Sequence, residues 1–196
     1  VVILADAACD PRHVAVDLLA QAEHDEAAQA ILITDDAAFA DAVVHAVATE
    51  LPSLARAAIA GASWRDHGAV ILVRDWAEAA SLVDRLAPEH LQIMTADPAA
   101  LFARIRHAGA AFLGRHCPEA FGDYVAGPNH VLPTGRTARF ASGLSVYDFL
   151  KRTTWIDAGA AALDAIGPAA VALAEAEGLG AHARSIALRL GQQGAA

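Results

Sequence analysis

The feature that most restricts the fold is the alternation of short apolar runs with segments that carry helix signals. The runs are four or five residues long and rich in β-branched residues. They cover positions 1–5, 30–34, 69–73, 91–95 and 110–113. Asp10-Pro11 and Asp97-Pro98 each place a capping residue before a proline, as at the start of a helix. This pattern predicts an α/β fold, an incomplete Rossmann-like domain with a mostly parallel sheet flanked by helices.

The same signals predict where the helices lie and how the chain divides. In the first part of the chain we expect helices from 10 to about 24, from 35 or 36 with a break at Pro52, from 75 to 86 and from 97 to about 107. Residues 114–145 are rich in glycine and proline and predict a long functional loop. Helical patterns return at 146–153, 158–177 and 181–190. We therefore predict two domains, 1–143 and a small helical tail, 144–196.

Composition narrows the class of partner. The 196 residues are 56% hydrophobic, enough for a substantial core, and the net charge of −9 argues against nucleic acid or an anionic membrane surface. Two cysteines without a CxxC motif predict a reducing, cytoplasmic environment. No apolar run has the length of a membrane span, and no leader pattern is visible. Because the chain opens on a strand without Met, we read it as a piece of something longer.

Three segments of the first domain combine residues that could carry chemistry. Gln21 and His24 stand three positions apart, so one helix face can present both to a metal or to water. Glu89-His90 follows a proline where a helix passes to a strand, so it is either an acid/base pair or a solvated junction. Asp123 and His130 lie in the loop among residues that fix backbone geometry, which favours a binding loop over a bland surface loop.

The tail offers Glu177 and His182 around a Gly-x-Gly string. That string follows a helix rather than a strand, so it indicates a helix break and not a dinucleotide-binding turn. Taken alone, His182 is better explained as a surface residue near a helix start than as a ligand. The remaining histidines and both cysteines lack partners at useful spacing.

Taken together, several of these segments resemble the histidinol dehydrogenase family. The resemblance is carried, in order, by LLAQAEHD, APEHL, AGAAFLG, PEAFGDYVAGPNHVLPTGRTARFASGLSVYDFLKRT and AEAEGLGAHARSI. It implies an NAD-dependent oxidation of L-histidinol, through L-histidinal, to L-histidine, the end of histidine biosynthesis. It covers the whole chain, yet the family's N-terminal half, with most NAD contacts and a Gly-Pro-Ser-Glu stretch, would precede Val1.

The resemblance also implies roles for individual residues. The four zinc ligands would be Gln21, His24, Asp123 and His182, with His182 reaching the zinc of the second subunit in a domain-swapped homodimer. Zinc would position the substrate, and the metal ligands would contact the substrate as well.

Glu89 and His90 match the acid/base pair of this family, with His90 taking the alcohol proton and Glu89 activating water. His130 and Glu177 match positions that contact substrate. The rival hypotheses are a non-catalytic zinc- or imidazole-binding dimerisation module, one half of a split enzyme, and a generic α/β domain without metal.

Overall fold

A computed structural model describes residues 1–191, and the chain divides into two compact units. The first unit is Val1–Phe149, and the second begins at Leu150. The domain division expected near Gly143, and the swapping of the tail, stay predictions. No helix within residues 1–191 has both the length and the apolar character needed to cross a bilayer.

The first unit is built on one five-stranded sheet, which confirms the predicted α/β class. Every neighbouring pair of strands is parallel, in the order β3-β2-β1-β4-β5. The strands are β1 (Val2–Ala5), β2 (Ile31–Thr34), β3 (Ala69–Leu72), β4 (His90–Met94) and β5 (Ala110–Leu113). Each of the five apolar runs forms a strand, because continuous apolar sequence suits a strand that is covered on both faces.

Helices cover both faces of this sheet. They are α1 (Pro11–Ala22), α2 (Ala37–Glu50), α3 (Ala57–His67), α4 (Trp76–Leu86), α5 (Pro98–Phe102) and α6 (Ala120–Tyr124). Side chains of Asp10, Asp36, Asp75 and Asp97 accept hydrogen bonds from the first-turn amides of α1, α2, α4 and α5. The predicted cap positions are thereby confirmed.

Three predicted element boundaries were wrong. Helix α5 ends at Phe102 rather than near 107. Within the predicted loop the chain forms α6 and a 3₁₀ turn, Thr137–Arg139. Positions 146–153 give only a short 3₁₀ helix, Val146–Phe149. These segments are short, and short segments depend on tertiary contacts more than on local propensity.

Alternate residues of the central strands enter two separate cores. Ile3 and Met94 pack with α1, α2 and α3 on one face, whereas Leu4 and Ile93 pack with α4 and α5 on the other. This division follows from the two-residue period of a strand. In the second unit, α7 (Ala160–Ala176) and α8 (Gly180–Arg189) pack against each other.

Candidate active site

The junction Leu86-Ala87-Pro88-Glu89-His90 lies at the edge of the sheet where strand β4 begins. Helix α4 ends at Leu86, and Ala87 adopts a left-handed conformation with φ 46°. Pro88 and Glu89 follow, and His90 is the first residue of the strand. Open α/β sheets usually bind ligands at the carboxyl ends of their strands. Here the acid/base candidates occupy the opposite, amino edge.

A glycine of the neighbouring strand fixes this junction. The amides of Gly109 and Ala110 donate to the carbonyl oxygens of Pro88 and Glu89, at 2.9 and 2.8 Å. A Cβ atom on Gly109 would lie 2.6 Å from the Glu89 oxygen, closer than side chains approach. Gly109 is therefore required by the contact between β5 and the Glu89-His90 segment.

His90 is the most deeply buried of the predicted site residues. Its side chain is 10% exposed, and its ring packs at a tilt against Phe112, with ring centroids 6.1 Å apart. Its Nδ1 atom is buried without a hydrogen-bond partner in the described part of the chain. The ring also lines a cavity of about 820 Å³. A buried imidazole with an unsatisfied nitrogen at a cavity is a group whose state is set by its neighbours.

Two carboxylates from the segment after β5 lie beside this ring. Glu119 immediately precedes α6, Asp123 is on that helix, and one ligand atom each of His90, Glu119 and Asp123 all lie within 4.8 Å of one another. The Glu119 Oε1 atom is 3.5 Å from His90 Nδ1, and the Glu119 side chain is only 5% exposed. Gly122 allows the approach, because a Cβ there would lie 2.7 Å from the Phe112 ring.

Glu119 is the functional candidate that sequence reasoning missed. Its signal was present, since Glu119 and Asp123 are four residues apart and so share one face of a helical turn. A second residue, Gln92, was also missed. His90, Gln92 and Met94 alternate along β4, and the two-residue period puts the histidine and the glutamine on the same face.

Gln92 connects three elements through its amide group. Its Nε2 atom donates to Asp17 Oδ2 of α1 at 2.7 Å, and its Oε1 atom accepts from the Glu119 amide at 3.3 Å. The residue is 1% exposed, so these contacts replace water that the amide would otherwise bind. Helix α1 and the start of α6 are thus tied to the strand that carries His90.

Gln21 and His24 lie at the end of α1, but not on one continuous helix. The helix ends at Ala22, and His24 follows in an exposed turn, its amide donating to the Gln21 carbonyl at 3.2 Å. The Gln21 Oε1 atom accepts a 2.9 Å hydrogen bond from the Val1 amino group. The predicted face is therefore replaced by a helix end and a turn.

Electrostatic effects show that these groups share one region. The charges of His24 and Asp123 act on Glu89, His90 and Glu119 alike. Burial lowers the pKa of His90 from 6.5 to about 4. Burial raises the pKa of Glu89 and of Glu119, with the charge of Asp123 acting in the same direction.

The other predicted residues are more exposed. His130 is exposed and lines the same cavity as His90. In the second unit, Glu177 follows α7 and His182 lies in the first turn of α8, and both are exposed. Of the predicted site residues, the first unit brings His90 and Asp123 together, with Glu89 next to His90 in the chain, while His24 is not part of that cluster.

Comparison with known proteins then decides the family. The sequence profile of histidinol dehydrogenase matches residues 1–190. The chain belongs to the histidinol dehydrogenase family. It is 66% identical over 190 residues to a histidinol dehydrogenase of Gluconobacter oxydans, and 64% identical over 191 residues to one of Rhodospirillum rubrum. Each match covers 97% of this chain and 44% of the relative.

A solved structure agrees. The chain superposes on the crystal structure of histidinol dehydrogenase from Elizabethkingia anophelis with a TM-score of 0.92 and 34% identity. That match covers 96% of this chain and 43% of the other. The chain thus spans less than half the length of the histidinol dehydrogenases it matches.

Proposed function

We propose that this chain supplies the metal-binding and acid/base groups of a histidinol dehydrogenase that oxidises L-histidinol, through L-histidinal, to L-histidine. The observation that carries the proposal is the buried His90 imidazole at a cavity, beside Glu89 and Asp123. Family membership supports it. Each oxidation releases a proton near neutral pH, and a neutral imidazole is suited to accept it.

His90 is the general base in this proposal. Because burial holds its pKa near 4, the imidazole is neutral at pH 7 and has a free lone pair. It takes the alcohol proton as the carbon-bound hydrogen leaves as hydride. The apolar wall provided by Phe112 keeps water from competing for that lone pair.

Glu89 acts in the second oxidation. Its carboxyl group is half-buried and adjacent to His90, and its raised pKa makes it a stronger base than an exposed glutamate. It removes a proton from the water molecule that adds to the aldehyde. His90 and Glu89 thus serve successive steps from neighbouring positions.

The donor set in the first unit suits zinc. The proposed ligand atoms are the amide oxygen of Gln21, an imidazole nitrogen of His24 and a carboxylate oxygen of Asp123. The charges of His24 and Asp123 both act on the pKa values of Glu89, His90 and Glu119. We propose that these three ligand atoms hold Zn²⁺ together with His182 of a second copy in a swapped homodimer. Bound zinc would supply a fixed positive charge that orients the substrate.

The remaining contacts complete the proposal. His130 and Glu177 bind substrate, and NAD, held mostly by residues outside this chain, would supply the hydride acceptor for both oxidations. The setting is a soluble biosynthetic enzyme of the cytoplasm, with neither nucleic acid nor membrane as a partner.

A zinc titration tests the metal site. The chain is titrated calorimetrically with zinc and then with histidinol, alone and with a second chain that supplies the N-terminal half of the Gluconobacter oxydans relative. We expect zinc binding that is lost in His24→Ala and kept in the control His45→Ala, which changes an exposed residue of α2. Equal zinc affinity in both variants would contradict the ligand set.

The alternatives to this proposal are one half of a split enzyme and a binding module without turnover. NADH formation from histidinol on adding the second chain supports a split enzyme, and binding without turnover supports the module. Turnover by the isolated chain at the rate of an intact enzyme would contradict our expectation that it is inactive alone.

A further inference from the structure

A residue with no role in the proposed function lies against the general base. Glu119 Oε1 and His90 Nδ1 are 3.5 Å apart, and both side chains are at least nine-tenths buried. Nδ1 is also one of the few buried polar atoms that lack a partner in the described residues. A buried carboxylate next to a buried, unsatisfied imidazole nitrogen calls for an explanation in terms of the pair.

We infer that Glu119 is a positioning residue, whose carboxylate accepts the Nδ1 hydrogen of His90 and leaves Nε2 as the nitrogen that takes the substrate proton. The inference rests on the proposed function, in which His90 is the general base. A neutral imidazole has one protonated nitrogen, and a hydrogen bond to one ring nitrogen decides which. The 3.5 Å separation closes to hydrogen-bond length with a small movement, as occurs when substrate binds.

The surroundings hold Glu119 in place for this task. Its amide is bound to Gln92 Oε1, and the amide group of Gln92 is in turn bound to Asp17 of α1. Gln92 and His90 stand two residues apart on the same strand face, so Glu119 is anchored to the element that carries its partner. A surface carboxylate that met the ring by chance would not have this support.

A competing explanation is that Glu119, His90 and Asp123 bind a metal ion together. Their ligand atoms lie within 4.8 Å of one another, which such a site would need. A metal on Nδ1 would displace the hydrogen that Glu119 is inferred to accept. Zinc affinity therefore separates the two explanations, since a positioning residue affects it less than a ligand does.

The direct test is the tautomer of His90. The tautomer is read from the ¹⁵N resonances of His90 in metal-free wild type and in metal-free Glu119→Gln at pH 7. The His90 resonances are identified as those that disappear in His90→Gln. We expect hydrogen on Nδ1 in the wild type and a shift toward hydrogen on Nε2 in the nearly isosteric variant. Hydrogen on Nε2 in the wild type, or an unchanged tautomer in the variant, would overturn the inference.

Kinetics give a second, independent readout. In the enzyme reconstituted with the Gluconobacter oxydans N-terminal half, Glu119→Ala should lower kcat about 10- to 100-fold with little change in KM for histidinol. Glu119→Asp should restore part of the loss, and Glu78→Gln, on α4 and outside the site, should keep wild-type kcat. Wild-type kcat in Glu119→Ala, or a zinc affinity lowered as much as in His24→Ala, would refute the positioning role.

Failure of the inference and failure of the proposed function give different results. If His90→Gln is inactive while Glu119→Ala is fully active, the general base stands and only the inference falls. If His90→Gln is fully active, the proposed function falls. The tautomer measurement needs no turnover, so it judges the contact between Glu119 and His90 in either case.

Discussion

The two faces of strand β4 differ in what they bury. Leu91 and Ile93 point to one face, are fully buried, and pack with α4 and α5 in an apolar core. His90 and Gln92 point to the other face, where they contact Phe112, Asp17 and the segment before α6. That second face joins a polar network at the start of the strand to the other apolar core, which Met94 enters.

The difference shows how this sheet combines stability with chemistry. Burial of apolar surface contributes about 25 cal/mol per Å² to the free energy of folding. Burial of a polar group, in contrast, costs free energy unless the group is hydrogen-bonded. Gln92 meets that condition, and the Nδ1 atom of His90 does not. The unsatisfied Nδ1 atom thus lies beside the Glu119 carboxylate, on a ring that lines the cavity.

The largest expected effect comes from the polar face. In the reconstituted enzyme, His90→Gln should lower kcat about 10²- to 10⁴-fold, because general-base catalysis contributes a factor of that size. The metal-free chain should still unfold cooperatively in urea, because glutamine keeps a polar group that can contact Glu119. Steady-state NADH formation and urea unfolding check the two parts. A kcat within threefold of wild type would contradict a catalytic role for the polar face of β4.

On the apolar face the effect should fall on stability instead. Ile93→Ala should cost about 2–5 kcal/mol in the free energy of unfolding, because it leaves a cavity in a core with no access to water. Val44→Ala, a change at an exposed position of α2, serves as the matched control. Denaturant unfolding of both variants gives the comparison, and equal losses would contradict the assignment of Ile93 to the core.

Low pH should lower the folding stability of the chain through His90 on the polar face. His90 has a pKa of about 4 in the folded chain, against its ordinary value of 6.5 when unfolded, so the unfolded chain binds more protons between those two values. Stability should fall as the pH is lowered through this window, by about 3 kcal/mol from His90, with no further contribution below pH 4. Buried carboxylates act in the opposite direction, so the measurement is the difference between wild type and His90→Asn in EDTA. Parallel pH profiles for the two proteins would refute the prediction.

The smallest expected change concerns the anchor of the network. Gln92→Leu keeps most of the side-chain volume but leaves the Glu119 amide and a half-buried Asp17 carboxylate without partners, so it should cost about 1–3 kcal/mol. Gln29→Leu, at an exposed position, should be nearly neutral. Thermal unfolding ranks the two variants. A neutral Gln92→Leu would mean that water replaces both contacts.

Local sequence predicted the scaffold well and its margins poorly. Each of the five strands and the caps of α1, α2, α4 and α5 could be read from apolar runs and Asp positions, because both signals act over a few residues. The end of α5 at Phe102 could not be predicted in this way, because tertiary contacts place the residues that follow a short helix. The Asp84 carboxylate accepts the amides of Arg106 and His107 and holds that segment outside the helix.

For the candidate site, the sequence identified most of the residues but not the contacts between them. Glu89, His90 and Asp123 were recognised from their motifs, whereas Glu119 was overlooked although it follows a proline in the same loop. Its importance depends on a contact with a residue 29 positions earlier, seen only when β4 and the loop come together.

The sequence by itself determined that this chain forms a parallel α/β sheet and that it carries the residue motifs of histidinol dehydrogenases, because period, caps and motif order are properties of neighbouring residues. The tertiary structure alone decided that Glu89 and His90 lie at the amino edge of the sheet, that His90 is buried with a low pKa, and that Glu119 stands at its Nδ1 atom. Burial and separation depend on which distant segments meet, and the free energy of a buried charge or hydrogen bond is set by those neighbours.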